Sequence, residues 1–177
     1  AMSGSVSGLS EVPEFRRMFV MFKNPFLGVL VGAVLTGIIQ SSSASVGILQ
    51  ALSTTGSITV SAAFPIILGQ NIGSCTTVLI SSIGASKNAK RAAYAHLTFN
   101  VIGVVIAMAL FYGSNAIFGL PFFNDNVSPA TIAIIHSLFN IFSTIILFPF
   151  GKQLEKLMYV LIRDGKDDKE EQKDENG

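Results

Sequence analysis

Two polar blocks interrupt otherwise apolar stretches of this chain, and they hold the residues best suited to chemistry. The first is Gln40-Ser41-Ser42-Ser43, inside the apolar run from Pro25 to Leu52. The second is Gly69-Gln70-Asn71-Ile72-Gly73-Ser74, with Thr76 and Thr77 just beyond, inside the run from Val60 to Gly84. Their amides and hydroxyls offer neutral oxygen to a cation and N–H or O–H groups to an anion. No Asp or Glu stands in any apolar run, so the acidic relay of many proton pumps is missing. A cation here must be held by hydroxyl, amide and backbone carbonyl oxygen, and an anion beside it meets no fixed negative charge. The pattern fits sodium–anion symport better than proton-driven transport.

Hydrolytic and metal chemistry find less support. Ser41, Ser42 and Ser43 lack a Gly-x-Ser-x-Gly frame, and no intramembrane acid is present to orient a histidine. His96 and His136, with Cys75 as the single cysteine and no carboxylate nearby, do not make a metal site. The histidines belong to a small repeat, His96-Leu97-Thr98-Phe99-Asn100 and His136-Ser137-Leu138-Phe139-Asn140. In each copy the Asn falls on the same helical face as the His, which suits hydrogen bonding between helices. The chain is not expected to be an enzyme. No catalytic residue is assigned, and no cofactor or metal is expected beyond Na⁺ as a coupling ion.

The elements that carry these blocks are short. The stretch before the first block, about 15 residues or roughly 22 Å of helix, falls below the roughly 20 residues that span hydrocarbon. In the second block, two glycines around amides predict unwound backbone. Irregular backbone at membrane depth must be buried or line a cavity, and paired interrupted segments point to a transporter's binding site. Helices beginning after Ser43 and after Gly73 would present N–H groups and partial positive charge to an anion. Helices ending at Gln40 and Gln70 would present carbonyls to Na⁺. From the geometry of the second break, Asn71, Ser74 and Thr76 are expected to join the anion. Asn71 and Thr77, with the backbone at Gly69 and Gln70, are expected to join the cation. Gly28 and Gly32 form a Gly-x-x-x-Gly spacing that close helix packing explains.

Two ordinary spans follow, Arg91 to Gly113 and Pro129 to Gly151, with Tyr94 and Tyr112 near the ends of the first. Composition agrees: of 177 residues half are hydrophobic and 13% charged, against roughly 25% in a soluble domain. Seven of the eleven acidic residues crowd between Asp164 and Glu175. Net charge is +1, so no basic surface suggests nucleic acid. The expectation is an all-α membrane protein with interrupted or re-entrant helices plus two full transmembrane helices. Residues 1–24 read as a polar and amphipathic interfacial segment, 25–162 as the membrane unit, and 163–177 as a charged disordered tail. Basic residues cluster at Arg16/Arg17/Lys23, Lys87/Lys90/Arg91 and Lys152/Lys156/Arg163, which the positive-inside rule places in the cytoplasm. Two topologies satisfy it: both interrupted segments cross, or both dip in and return.

Asn24-Pro25, Thr36-Gly37-Ile38-Ile39-Gln40-Ser41-Ser42-Ser43-Ala44 and Gly69-Gln70-Asn71-Ile72-Gly73-Ser74-Cys75-Thr76-Thr77 resemble the type II sodium/phosphate cotransporter family. Ala89-Lys90-Arg91 followed by His96 and Phe99-Asn100 is similar to its bacterial members. The likeness covers roughly residues 10–160 and rests on the two motifs together. It implies two inverted repeats, each with one Gln-Ser-Ser-Ser motif. This chain has one such motif, and its continuation from Gly47 to Ser53 looks like the second repeat. The chain would then be one half of an inverted-repeat transporter. By the resemblance, Gln40, Ser41, Ser42 and Ser43 match the motif assigned to Na⁺ and phosphate, and Thr36 fits the pattern one turn earlier.

The expected function is sodium-coupled inorganic phosphate symport across the cytoplasmic membrane, with Ser41–Ser43 on phosphate and Thr36 and Gln40 on Na⁺. Transport of another oxyanion or small solute stays open. So does a non-transporting membrane fragment that binds ions or assists assembly. Expected partners are phosphate, Na⁺, the lipid bilayer, and a missing N-terminal repeat or a second copy of the chain.

Overall fold

The computed structural model describes residues 24–163. The expected interfacial segment (apart from Asn24) and the charged tail (apart from Arg163) lie outside the described residues. Six α-helices follow in order: α1 (Pro25–Ile39), α2 (Ser42–Ser53), α3 (Val60–Ser81), α4 (Lys87–Phe118), α5 (Pro129–Leu147) and, after a 3₁₀ turn at Phe148–Phe150, α6 (Gly151–Leu161). Among the described residues there is no strand, only an isolated bridge between Thr59 and Asn126.

The first interruption is present and narrow. Helix α1 starts on Asn24, whose Oδ1 accepts from the Phe26 N–H at 3.0 Å, with Pro25 where no N–H is needed. It stops at Gln40, which takes the left-handed conformation at φ 57°. Ser41 is extended and caps α2, its Oγ accepting from the Ala44 N–H at 3.3 Å. Only Gln40 and Ser41 form the break. Ser42 and Ser43 already belong to α2, so this helix begins earlier than expected.

The second interruption is absent. Helix α3 runs unbroken from Val60 to Ser81, through Pro65 and through the whole of Gly69–Ser74. The glycines there serve packing rather than unwinding. A Cβ added at Gly69 would stand 2.0 Å from the Val29 carbonyl oxygen, and at Gly73 2.4 Å from that of Ala33. From the other side, a Cβ at Gly32 would stand 2.0 Å from the Ile66 oxygen and one at Gly28 2.9 Å from Pro65 Cγ. The close packing expected of Gly28 and Gly32 is therefore found, and Gly69 and Gly73 are its counterpart on α3. Small residues let two backbones meet where lipid supplies no hydrophobic drive, and unwinding would strip α3 of bonds no water replaces.

The register gives the topology. Gly28 faces Pro65 and Gly37 faces Thr76, so α1 runs parallel to α3. Thr36 bonds Ser45 across the turn, and Leu49 and Leu52 pack with Val60, Ala63, Ile66 and Ile67. Helix α2 therefore folds back along α1, and the two make a hairpin whose open end lies beside the start of α3. Neither topology expected from sequence holds: the first segment returns and the second goes through. The Asn24 end of α1 consequently lies at the opposite end of the molecule from Lys87 and Lys152. Placing all three basic clusters on one side now depends on residues before Asn24, outside the described range.

By length and composition α3, α4 and the run Pro129–Leu161 can each cross a membrane. The first ordinary span expected from sequence lies within α4, and the second covers α5, the 3₁₀ turn and the first residue of α6. Helix α4 runs back along α3, pairing Phe111 with Phe64 and Asn100 with Cys75. Helix α5 returns beside α4, with Phe139 packing against Leu68, Val104 and Ala107. The loop before α5 closes one end: carbonyls of Asp125 and Phe123 accept from the Val60 and Ser61 N–H groups at 2.9 and 3.0 Å. These are first-turn donors of α3 that have no partner within their helix. The outer faces are apolar, as with Phe26, Leu30, Val34 and Ile38 along α1, each at least half exposed. In water such a stripe would drive aggregation, whereas against lipid it is ordinary.

Candidate binding site at the helical hairpin

Three polar side chains meet where α1, α2 and α3 come together. Thr36 Oγ1 donates to Ser45 Oγ at 2.8 Å, and Gln70 Nε2 donates to the same oxygen at 3.0 Å. All three residues are fully buried. Because the Gln70 amide N–H is committed to Ser45, its carbonyl oxygen Oε1 is left buried with no hydrogen-bond partner in the structure. Such an atom costs about 1–3 kcal/mol of unreturned desolvation. A cation is one partner that would satisfy it, and Thr36 and Ser45 add hydroxyl oxygens of the kind Na⁺ accepts.

The hairpin tip lies one turn from this cluster. Gln40, Ser41 and Ser43 are exposed and Ser42 is half-buried. The first turn of α2 points its N–H groups toward the tip, which makes the tip suited to an anion. On α3, Thr76 lies half-buried against Gly37, its Oγ1 3.1 Å from where a Cβ of that glycine would be, and Thr77 is exposed. Hydroxyls from Ser41–Ser43 and Thr76 thus stand at one end of the hairpin, beside a neutral oxygen cluster.

Other residues expected at the site are committed elsewhere. Asn71 is buried, with its Nδ2 donating to the Ile67 carbonyl at 3.0 Å. Ser74 Oγ donates to the Asn71 carbonyl at 2.7 Å. Gly69 stands in the α1–α3 contact, and the carbonyl-ended helix expected at Gln70 does not exist because α3 continues. What Gln70 contributes is its side chain. The histidine repeat behaves differently in its two copies: both Asn amides bond back to the His carbonyl four residues earlier, at 3.0 Å for Asn100 and 2.8 Å for Asn140. Only Asn100, also 3.4 Å from Cys75 Sγ, adds a link between helices.

Sequence reasoning missed Ser45. Its signal was faint: Ser45 falls one helical turn after Ser41, but nothing in the run Ser41-Ser42-Ser43-Ala44-Ser45 sets it apart from its neighbours.

The model of the Na⁺/Pi-cotransporter family matches residues 2–124 of the chain. The chain belongs to that family. The match spans the hairpin, α3, α4 and the following loop as far as Asn124. Among individual proteins, the chain is 34% identical over 137 residues to the uncharacterized protein YqeW of Bacillus subtilis (strain 168), covering 76% of this chain and 43% of YqeW. It is 39% identical over 85 residues to the sodium-dependent phosphate transport protein 2B of Homo sapiens, covering 46% of this chain and 12% of that protein. A 35% identity over 96 residues links it to the sodium-dependent phosphate transport protein 2A of Rattus norvegicus, covering 51% of this chain and 15% of the relative. The chain thus spans less than half the length of these relatives. No solved structure matches it.

Proposed function

We propose that this chain is the C-terminal repeat of a sodium-coupled inorganic phosphate symporter of the cytoplasmic membrane. The observation that carries the reading is the Gln70 carbonyl oxygen, buried without a partner beside Thr36 and Ser45. In this reading Na⁺ binds Gln70 Oε1 together with the Thr36 and Ser45 hydroxyls, and Gln40 and Thr77 complete its surroundings at the tip. Phosphate is held by Ser41, Ser42 and Ser43, by the first N–H groups of α2, and by Thr76. Asn71 and Ser74 support the site through the backbone of α3. Family membership and the names of the relatives support the ion and the substrate.

Among the described residues only one hairpin tip is present, and Gln40, Ser41 and Ser43 on it are exposed, so in this reading the site is completed by an N-terminal repeat or by a second copy of the chain. Labelled-phosphate uptake into proteoliposomes, with and without an inward Na⁺ gradient, tests the reading. Uptake by the chain alone means that copies pair. Uptake only after co-reconstitution with an N-terminal repeat gives the half-transporter. Uptake in neither case overturns the proposal, and stronger competition by sulfate than by arsenate reassigns the substrate.

A further inference from the structure

Helix α6 carries three distinct faces. Leu154, Met158 and Ile162 turn inward, and Met158 is 1% exposed. Leu157, Val160 and Leu161 form an apolar strip open to the outside, at 44%, 64% and 63% exposure. Between them, by helical spacing, Lys152 and Lys156 make an exposed basic stripe beside Tyr159, with Glu155 at its inner margin. An exposed apolar strip beside a basic stripe is the pattern of a helix lying in a membrane interface.

Length puts α6 at that depth. The 19 residues of α5 reach about 28 Å, already the roughly 30 Å of the hydrocarbon. The 32 residues of α4 reach about 48 Å, so one end of α4 extends past the hydrocarbon. Helix α6 is fastened to the basic end. Arg91 Nε and Nη2 donate to the Ile162 carbonyl at 3.0 and 2.6 Å, Nη1 donates to Asn88 Oδ1 at 2.8 Å, and the guanidinium lies 4.0 Å over the Tyr159 ring. Lys87 and Lys90 stand on the same end of α4.

We infer that α6 is a docking surface for acidic phospholipid: its apolar strip enters the acyl boundary and Lys152 and Lys156 engage anionic headgroups. The other negative partner within reach is the chain's own continuation, Asp164 to Gly177. That segment contains no apolar residue to cover Leu157, Val160 and Leu161. A bilayer with acidic headgroups meets both faces at once.

The chain has no tryptophan, so V160W supplies a single fluorophore on the apolar strip. The full-length variant is placed in nanodiscs mixing phosphatidylglycerol and phosphatidylcholine, with one or the other lipid brominated. The expected relative association of phosphatidylglycerol over phosphatidylcholine is about fivefold for each lysine engaged. It should fall to parity in K152Q/K156Q and persist in K152R/K156R. Equal quenching by the two lipids in the parent, or no quenching by either, overturns the inference. A preference abolished by inorganic phosphate but not by chloride at the same ionic strength assigns the stripe to a free anion and overturns it too. A preference that emerges only in D167N/D168N/E170Q/E171Q gives the stripe to the tail and likewise overturns it.

Discussion

Thr36 and Ser45 are nine residues apart in sequence and joined by a 2.8 Å hydrogen bond in space. Each stands four residues from the turn at Gln40-Ser41, so the bond closes the hairpin at equal distance along both arms. Ser45 also receives Gln70, which ties the hairpin to α3.

Ser45→Ala therefore leaves two buried donors, on Thr36 and Gln70, without an acceptor. A loss of about 2–4 kcal/mol is expected. Thermal unfolding in mild detergent checks it, with Gly47→Ala as the contrast. Nothing lies within 4 Å of an added Cβ at Gly47, and alanine in mid-helix should gain about 0.5–1 kcal/mol.

Gln70→Leu separates ion binding from folding. It removes one hydrogen bond but also the unpartnered carbonyl, so stability should change by less than about 1.5 kcal/mol. The rise in melting temperature that NaCl gives over choline chloride, expected in the parent, should vanish. A Na⁺-dependent shift that survives in this variant would take the cation away from Gln70.

The α1–α3 contact should be intolerant of any side chain. Gly32→Ala and Gly69→Ala each drive a methyl to 2.0 Å from a carbonyl oxygen of the facing helix. Backbone must move, at a cost of about 1–3 kcal/mol or more. Thermal unfolding with transport measured in parallel should show both variants weakened in each property.

At the tip, Gln40 holds φ 57°, a conformation that costs a non-glycine residue roughly 1–2 kcal/mol. Gln40→Gly should raise the melting temperature by relieving that cost while lowering Na⁺-driven phosphate uptake, because the side chain is gone. Uptake equal to the parent would reduce Gln40 to a turn residue.

Arg91 holds α6 through the Ile162 carbonyl and by lying over the Tyr159 ring, so Arg91→Lys should loosen the helix without unfolding the bundle. Two charge-assisted bonds are replaced by at most one, and amide exchange across 152–162 should accelerate by about tenfold or more. Unchanged exchange would show that Met158 packing alone holds α6.

The contrast between the two polar blocks shows what the sequence discloses. Apolar run length identified the membrane helices, and Gln40-Ser41 could be read as a break because α1 is too short to cross. The Gly69–Ser74 block carried the same signals of glycine and amide but is continuous helix. The difference lies in Val29, Ala33 and Gly32, which stand opposite on α1 and come into register only after the chain folds. Glycine makes backbone permissive, and only the facing surface decides whether that permission is used for a bend or for contact. Ser45 was hidden for a related reason: its partners come from two other helices.

The hairpin has one more consequence, for the orientation of any tandem copy. It returns to the side from which it entered, so among the described residues only α3, α4 and α5 run from one side to the other, and three is an odd number. A unit with odd parity starts on one side of the membrane and finishes on the other. A duplicate joined to it by a short linker would be threaded upside down with no change to its fold. Had the second polar block also turned back, the parity would be even and the same duplication would yield two copies facing the same way. Across the described residues, the unbroken path of α3 through Gly69 and Gly73 therefore sets the parity on which the symmetry of a doubled molecule would depend.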